Sequence, residues 1–60
     1  LSPREMEICE LIRDGYSSKE ISDALSISLP TVNKHREMIR RKLKIQNRDI
    51  NLAAYLRYKL

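Results

Sequence analysis

The chain has 60 residues, of which 42% are hydrophobic and 33% are charged, and its net charge is +4. A chain of this length buries only about 60% of its unfolded surface, so we expect one small domain with a single core. No apolar run approaches the ~20 residues of a membrane-spanning helix. A lone Cys9 cannot form an internal disulfide, and a lone His35 leaves no metal-ligand cluster. Disulfide-rich secreted scaffolds and metal-stapled domains are therefore excluded.

The charge is unevenly distributed along the chain. Residues 1–30 carry three bases and six acids, whereas residues 31–60 carry nine bases and two acids. This asymmetry predicts a polyanionic partner for the second half. A basic helix face that is merely solvated would give the same counts of bases and acids. The positions of the bases on the helix must therefore distinguish a polyanion-binding face from a solvated one.

The chain begins with a helix-start signal. Ser2 can act as the cap, Pro3 suits the first helical position, and Glu5 completes a capping box. The apolar residues that follow recur at helical spacing: Ile8, Cys9, Leu11 and Ile12. They predict a helix over residues 3–14, which Gly15 ends in the left-handed conformation.

A second capping signal, Ser17 with Glu20, predicts a short helix over residues 18–25. Its apolar stripe comprises Ile21, Ala24 and Leu25. A tight turn is expected at residues 26–28, followed by a long helix over residues 29–44 that the Ser28 hydroxyl caps. A short helix, a short turn and a long basic helix form the helix-turn-helix arrangement, in which the second helix enters the major groove of DNA.

The long helix is amphipathic. At about 100° per residue, one arc of about 80° holds Val32, His35, Ile39 and Leu43. The other side holds Asn33, Glu37, Arg40 and Lys44, with Lys34, Arg36 and Arg41 at its edges. His35 is interpreted as a packed, neutral core residue rather than a pH sensor or a base contact. The basic side predicts phosphate neutralisation and an affinity for DNA that falls steeply with salt.

A final helix is predicted over residues 48–58, with Asn47 as its cap. Its apolar residues occupy more than one face, and one stripe is assigned to the core: Ile50, Ala53 and Leu56. The surplus apolar surface indicates a second partner. A helix that merely covers a small core remains the alternative.

Several short motifs stand at characteristic spacing: Leu1-Ser2-Pro3-Arg4-Glu5, Ser18-Lys19-Glu20-Ile21, Ile27-Ser28, Thr31-Val32, His35, Ile39 and Lys42-Leu43. Their combination resembles the output domain of LuxR/GerE-type (NarL-type) bacterial transcription regulators. The resemblance implies an all-α, four-helix bundle-like helix-turn-helix domain over residues 1–60. It further implies that this domain is the C-terminal part of a longer cytoplasmic regulator, with an upstream sensory domain. The ending, Ile50-Asn51-Leu52 with Tyr55-Leu56, looks more like members attached to PAS-type sensory domains.

The resemblance also implies roles for individual residues. Lys19 and Thr31 match positions that contact phosphate in the family, and Asn33, Lys34 and Glu37 match base-facing positions. The remaining predicted phosphate anchors follow from the charge pattern: Arg36, Arg40, Arg41 and Lys44. A homodimer through the last helix is implied as well, with four interface residues: Ile50, Ala53, Ala54 and Arg57.

The chain departs from its family at two base-facing positions. Family members often carry lysine where this chain has Asn33 and Glu37, so the family's base preference does not transfer. Asparagine can pair with adenine and glutamate can accept from cytosine, each worth about 1–3 kcal/mol of discrimination. Glu37 can instead hold Arg40 or Arg41 in a helical pair, which is the favoured interpretation.

Other functional classes have to be weighed against DNA binding. Sigma-factor region-four-like domains share Glu20-Ile21 and Thr31-Val32 but usually lack so apolar a last helix. A helical docking module that binds an acidic protein through its basic face is a second alternative. An enzyme is disfavoured because no nucleophile–base pair or cofactor loop is present, and no cofactor or catalytic residue is predicted. The acids of the first helix are assigned to a solvated face: Glu5, Glu7 and Glu10.

Overall fold

The computed structural model describes residues 1–45 and 51–59, with the side chain of Lys59 excepted. Four helices occupy these ranges: α1 (Pro3–Arg13), α2 (Ser18–Leu25), α3 (Leu29–Lys42) and α4 (Leu52–Lys59). The described residues contain no strand. The predicted all-α, four-helix class with a helix-turn-helix is confirmed.

Helix α1 begins and ends where its local signals predict. The Ser2 hydroxyl accepts from the Glu5 N–H at 3.2 Å, and Glu5 Oε1 accepts from the Ser2 N–H at 2.9 Å. At the other end Gly15 adopts φ 96°, which a glycine reaches without steric cost. The Tyr16 N–H then donates to the Leu11 carbonyl at 3.0 Å, as in a Schellman motif. The chain thereby leaves α1 in a defined direction.

Helix α1 is the centre of the fold. It packs against each of the other three helices, and α2 also packs against α3. The buried core draws on every helix and on the segment after α3: Ile8, Cys9, Ile12, Ile21, Val32, Ile39, Ile45, Leu52 and Leu56. Burial of each such aliphatic side chain contributes about 1.5–3 kcal/mol. Neither α2 nor α4, at eight residues each, is long enough to be stable without this packing.

The turn between α2 and α3 has three residues, as predicted. Ser17 and Glu20 form the expected capping box at the start of α2. At its end Ser26 takes the left-handed conformation, with φ 55°, and the Ile27 N–H donates to the Ser22 carbonyl at 3.1 Å. Ile27 is half-buried and packs against the core. This turn fixes how α3 leaves α2.

The predicted apolar stripe of α2 is wrong at one residue. Ala24 is exposed, whereas Ile21 is buried and Leu25 is half-buried against the core. Ser22 is buried instead, and its hydroxyl donates to the Lys19 carbonyl at 2.7 Å. A serine tolerates that position because the preceding turn of the helix satisfies its hydroxyl.

Helix α3 ends at Lys42, two residues before the predicted boundary. Lys44 adopts φ 60°, and the Ile45 N–H donates to the Arg40 carbonyl at 2.8 Å. Ile45 is only 3% exposed. The helix ends before the predicted boundary, and the turn at Lys44 allows Ile45 to pack in the core.

Helix α4 begins at Leu52, later than the predicted residue 48. Asn51 is not helical, and its Oδ1 accepts from the Ala54 N–H at 3.2 Å, so Asn51 acts as the cap. The predicted cap, Asn47, lies outside the described residues. The chain offers two capping asparagines, and the apolar spacing does not choose between them.

The core stripe of α4 differs in part from the prediction. Leu52 and Leu56, one turn apart, are the buried residues, so Leu56 is confirmed. Ala53 is half-buried and packs against the core, and Ile50 lies outside the described residues. Leu52 takes the central role because a leucine buries more apolar surface than an alanine.

The solvated acidic face predicted for α1 is wrong at Glu5. Glu7 and Glu10 are exposed, but Glu5 is only 4% exposed. Its Oε1 accepts from Lys42 Nζ at 2.8 Å, across from α3. A buried carboxylate is tolerated when a cation and hydrogen bonds compensate it, and Lys42 and Ser2 supply both.

Candidate nucleic-acid interface

Helix α3 presents a polar face and is held by a buried seam. Val32 and Ile39 are fully enclosed and fix the rotation of the helix about its axis. Five of the predicted contact residues on this helix are exposed: Thr31, Asn33, Lys34, Glu37 and Arg41. Arg36 and Arg40 are half-buried. The polar side predicted from the periodicity is therefore exposed at Asn33 and Glu37, whereas Arg40, predicted on the same side, is half-buried.

The exposed face has a polar centre and cationic flanks. Two shallow depressions run along α3, and Asn33 and Glu37 line both of them. Arg36 and Arg40 line one depression, whereas Lys34 and Arg41 line the other, together with Pro30 and Met38. On a DNA duplex, Asn33 and Glu37 could therefore approach the base edges while the flanking cations approach the phosphates of the two strands.

Arg36 and Arg40 lie one helical turn apart on the same flank. Burial, and then the charge of Arg40, lower the pKa of Arg36. A guanidinium nevertheless stays protonated in proteins, so the flank keeps both positive charges. An anion placed between two such groups would relieve their repulsion. The flank is thus a favourable place for a phosphate.

The start of α3 differs from the starts of α1 and α2. Helices α1 and α2 each carry a capping-box glutamate in the first turn, but α3 has no acid there. The Ser28 hydroxyl accepts from the Thr31 N–H at 3.3 Å and lies 2.7 Å from the Thr31 hydroxyl. The positive end of the α3 dipole is therefore not offset by a carboxylate of its own first turn. This end suits an approaching phosphate better than the start of α2.

The remaining predicted phosphate contacts lie at the ends of helices. Lys19 is exposed at the start of α2, where its Nζ lies 3.7 Å from Asp23 Oδ2. Thr31 is exposed in the first turn of α3, and Lys44 is exposed just beyond its end. Lys19 thus carries a partly compensated charge, and such exposed pairs are weak.

His35 and Cys9 offer no second site. His35 is half-buried rather than enclosed, which only partly matches its expected place in the core. Cys9 is fully buried, and this burial raises the pKa of its thiol. Over residues 1–45 and 51–59 no group of three His, Cys, Asp or Glu side chains is arranged to hold a metal. No helix in the same ranges is long and apolar enough to cross a membrane.

The predicted dimer residues of α4 fall into two groups. Ala54 and Arg57 are exposed on one face together with Tyr58, which is 92% exposed. Ala53 is half-buried, and Ile50 lies outside the described residues. Arg57 Nε also donates to the Arg13 carbonyl at 3.2 Å, so this side chain binds the C-terminal end of α1 in its own chain.

The residues that sequence reasoning missed are Glu5 and Lys42. Both belong to motifs that support the resemblance, but neither was assigned to the interface or to its support. They are 37 positions apart, and no local pattern pairs residues at that separation. The capping box at the start of α1 already accounts for Glu5 locally, so the sequence does not predict its contact with α3.

Comparison with known proteins identifies the family. Residues 1–53 match the family described as "Bacterial regulatory proteins, luxR family". The chain belongs to the luxR family. This membership makes it a helix-turn-helix domain of the DNA-binding, transcription-regulating kind, and the family is not a class of enzymes.

Two curated relatives show how the luxR-family chain relates to longer proteins. The oxygen regulatory protein NreC of Staphylococcus carnosus is 40% identical over 60 residues, which is 100% of this chain and 28% of the relative. The transcriptional regulatory protein DesR of Bacillus subtilis is 46% identical over 48 residues, or 80% of this chain and 24% of the relative. The chain thus spans about a quarter of their length. The expected kinship with PAS-linked members is not supported by these matches. No solved structure matches the chain significantly.

Proposed function

We propose that this luxR-family chain binds double-stranded DNA in a sequence-specific manner, with α3 in the major groove. The exposed face of α3 carries this proposal: a polar centre of Asn33 and Glu37 lies between two cationic flanks. An α-helix fits the major groove, and only that groove presents a distinct pattern for each base pair. A flat acidic protein surface would not require polar hydrogen-bonding groups between the cations.

The face divides into anchors and readers. Phosphate anchoring falls to the flanking cations and the two helix-terminal lysines: Lys34, Arg36, Arg40, Arg41, Lys44 and Lys19. Thr31 adds a hydroxyl at the start of α3, beside the uncompensated end of the helix dipole. Base reading falls to Asn33, Lys34 and Glu37, for which adenine and cytosine are the matching partners of the amide and the carboxylate. Glu37 can serve instead as an intrahelical clamp for a flanking arginine.

The domain acts, in this proposal, as a homodimer and as the output part of a longer cytoplasmic regulator with an upstream sensory domain. The exposed α4 face with Ala54, Arg57 and Tyr58 supports self-association. The length of the relatives supports a longer parent. A dimer would bind two half-sites about one helical turn, or ~10 base pairs, apart.

A salt series on duplex DNA tests the proposal. Binding of a random-sequence duplex of ~30 base pairs, about three helical turns, is measured by gel shift or fluorescence anisotropy over a range of salt concentrations. Replacing both Arg40 and Arg41 by Ala should weaken binding and flatten the slope of log K against log salt by about one to two units. The slope flattens because each phosphate contact that is lost reduces the number of counterions released from the DNA on binding.

The matched control replaces Arg4 and Arg13 on α1 by Ala, which removes the same charge from outside the interface. This control should keep the wild-type slope. An unchanged slope in the Arg40/Arg41 variant, or a wild-type chain whose binding ignores salt, would refute the proposal. Selection from a random duplex pool tests specificity, because a protein that contacts only phosphates enriches no motif.

A further inference from the structure

Glu5 connects the beginning of α1 to the end of α3. A single atom, Glu5 Oε1, accepts from the Ser2 N–H at 2.9 Å and from Lys42 Nζ at 2.8 Å. The Glu5 side chain is 6% exposed, whereas that of Lys42 is 46% exposed. The bond is therefore made on a largely buried acceptor, so removal of Lys42 leaves a costly unpaired carboxylate, whereas water can solvate the exposed Lys42 ammonium if Glu5 is removed.

The bond acts on the part of α3 that its buried seam holds least directly. Ile39 is the last fully enclosed residue of the helix; the C-cap residue Leu43 is only half-buried against the core, and Ile45, the next fully buried residue, lies beyond the helix end. The three residues after Ile39 are all cationic: Arg40, Arg41 and Lys42. The Glu5 carboxylate compensates the charge of Lys42 and so reduces the like-charge repulsion within this last turn.

From this geometry we propose that Glu5 is a positioning residue for DNA binding. It holds Lys42 against α1, and this contact fixes the last turn of α3 so that Arg40 and Arg41 face the DNA backbone. Lys42 acts through Glu5 and is not a phosphate contact. The inference rests on the proposed function of α3 as the DNA-binding helix.

Two simpler accounts make opposite predictions. If Glu5 acted only through its charge, replacing it by Gln would raise the net charge by one and tighten DNA binding. If Lys42 bound a phosphate, replacing it by Met would flatten the salt slope by about 0.9. Positioning predicts neither result. The direction of the affinity change in Glu5→Gln and the salt slope of Lys42→Met therefore distinguish positioning from the two simpler accounts.

The experiment measures the binding of the 60-residue chain and its variants to the same random-sequence duplex over a salt series. Glu5→Gln keeps the capping box, because Gln also serves at that position, but loses the charge that holds Lys42. We expect it to bind DNA about three- to tenfold more weakly than the wild type, within the range of coupling between contacting residues. Lys42→Met should bind more weakly with an unchanged salt slope, and Lys42→Arg should restore most of the affinity. The Glu5→Gln/Lys42→Met double variant should be no weaker than the weaker single variant.

Three controls separate positioning from stability and charge. Ser2→Ala removes the hydroxyl that caps α1 but leaves the Glu5–Lys42 pair, so it should unfold at lower temperature and still bind as the wild type does while folded. Arg41→Met removes one charge from the same turn as Lys42 and should flatten the slope. Circular dichroism confirms that each variant is folded at the binding temperature. Amide chemical shifts of residues 40–45, measured without DNA, should move in both Glu5→Gln and Lys42→Met.

The binding measurements decide whether Glu5 positions the last turn of α3. A folded Glu5→Gln variant that binds as tightly as the wild type, or more tightly, would overturn the positioning role, as would a flattened slope in Lys42→Met. The proposed function would survive either result, provided that the wild-type chain and the Arg40/Arg41 variant behave as expected. A wild-type chain that binds no duplex would overturn both proposals.

Discussion

At the scale of single residues, three glutamates of one helix have different environments. Glu7 and Glu10 are exposed, whereas Glu5 is buried beside the end of α3. The hydrogen bond from Lys42, followed by that from the Ser2 N–H, lowers the pKa of Glu5 from 4.5 to about 2. Composition and spacing could place Glu5 in a capping box, but its second partner is determined by tertiary packing.

The depressed pKa of Glu5 predicts a specific dependence of stability on pH. Because the folded state binds this proton only near pH 2, whereas the unfolded chain binds it near 4.5, Glu5 stabilises the fold fully above about pH 4.5. That contribution is lost progressively as the pH falls towards 2. Urea unfolding at a series of pH values should show the free energy of unfolding declining over this window.

Glu5→Gln provides the comparison. The variant should start from a lower stability at neutral pH and lose less of it on acidification, because its side chain takes up no proton. Lys42→Met should also flatten the decline, since it removes the largest cause of the depressed pKa. A Glu5→Gln variant whose stability fell as steeply as that of the wild type would contradict the assignment. Glu20 contributes in the same direction through Ser17, so some decline should remain in both variants.

At the scale of elements, three of the four helix starts could be predicted, and the two misplaced boundaries are the end of α3 and the start of α4. The starts of α1, α2 and α3 depend on a serine and its neighbours within three residues, and all three match the structure. The end of α3 depends on Ile45 reaching the core, which forces Lys44 into a left-handed conformation. A capping signal is local and readable, whereas a helix end that serves distant packing is not.

The same distinction applies to the candidate interface. The polar face of α3 could be predicted because a helical period orders Asn33 and Glu37 against Val32 and Ile39. The half-burial of Arg36 could not, since it depends on packing around the helix rather than on the helix itself. Periodicity identifies which residues share a face but does not say how deeply each one is buried.

The turn of the helix-turn-helix yields a prediction about stability. Ser26 has φ 55°, a region that costs a residue with a Cβ about 1–2 kcal/mol. Ser26→Gly relieves this cost and loses only about 0.5–1 kcal/mol of additional backbone entropy. We expect a net stabilisation of about 0.5–1 kcal/mol, measured by urea unfolding at neutral pH.

Ser26→Ala is the matched control, because alanine keeps the Cβ and gains no relief from strain. Its stability should not exceed that of the wild type. DNA affinity should be the same for both variants, since the turn keeps its shape and α3 its orientation. A Ser26→Gly variant less stable than Ser26→Ala would show that the backbone conformation of Ser26 carries no such cost.

At the scale of the whole molecule, the charges are unevenly distributed over the surface. Glu7, Glu10 and Asp14 line a depression between α1 and α2 whose apolar part is formed by Leu11 and Leu25. The flanking cations lie on α3. The uneven charge along the chain thus becomes an electric asymmetry of the fold, which orients the domain as it approaches a polyanion. Its effect on the association rate weakens with salt.

The molecule also exposes a second face, on α4, and this face carries the last prediction. Ala54, Arg57 and Tyr58 are spaced at one helical turn and are all exposed. In an isologous dimer each residue near the two-fold axis approaches its own copy. In the proposed dimer, with Ala54 near the two-fold axis, Ala54→Glu would therefore bring two carboxylates together. Such like-charge contacts cost several kcal/mol, so the proposed dimer should dissociate at least about tenfold more readily.

Folding should be little affected by Ala54→Glu. Ala54 is exposed in the first turn of α4, where a glutamate interacts favourably with the helix dipole. Ala24→Glu, the same substitution at an exposed residue of α2, is the matched control. Sedimentation of the free chain and of its complex with a selected duplex measures the balance of monomer and dimer. If Ala54→Glu and Ala24→Glu showed the same balance of monomer and dimer, α4 would not be the interface.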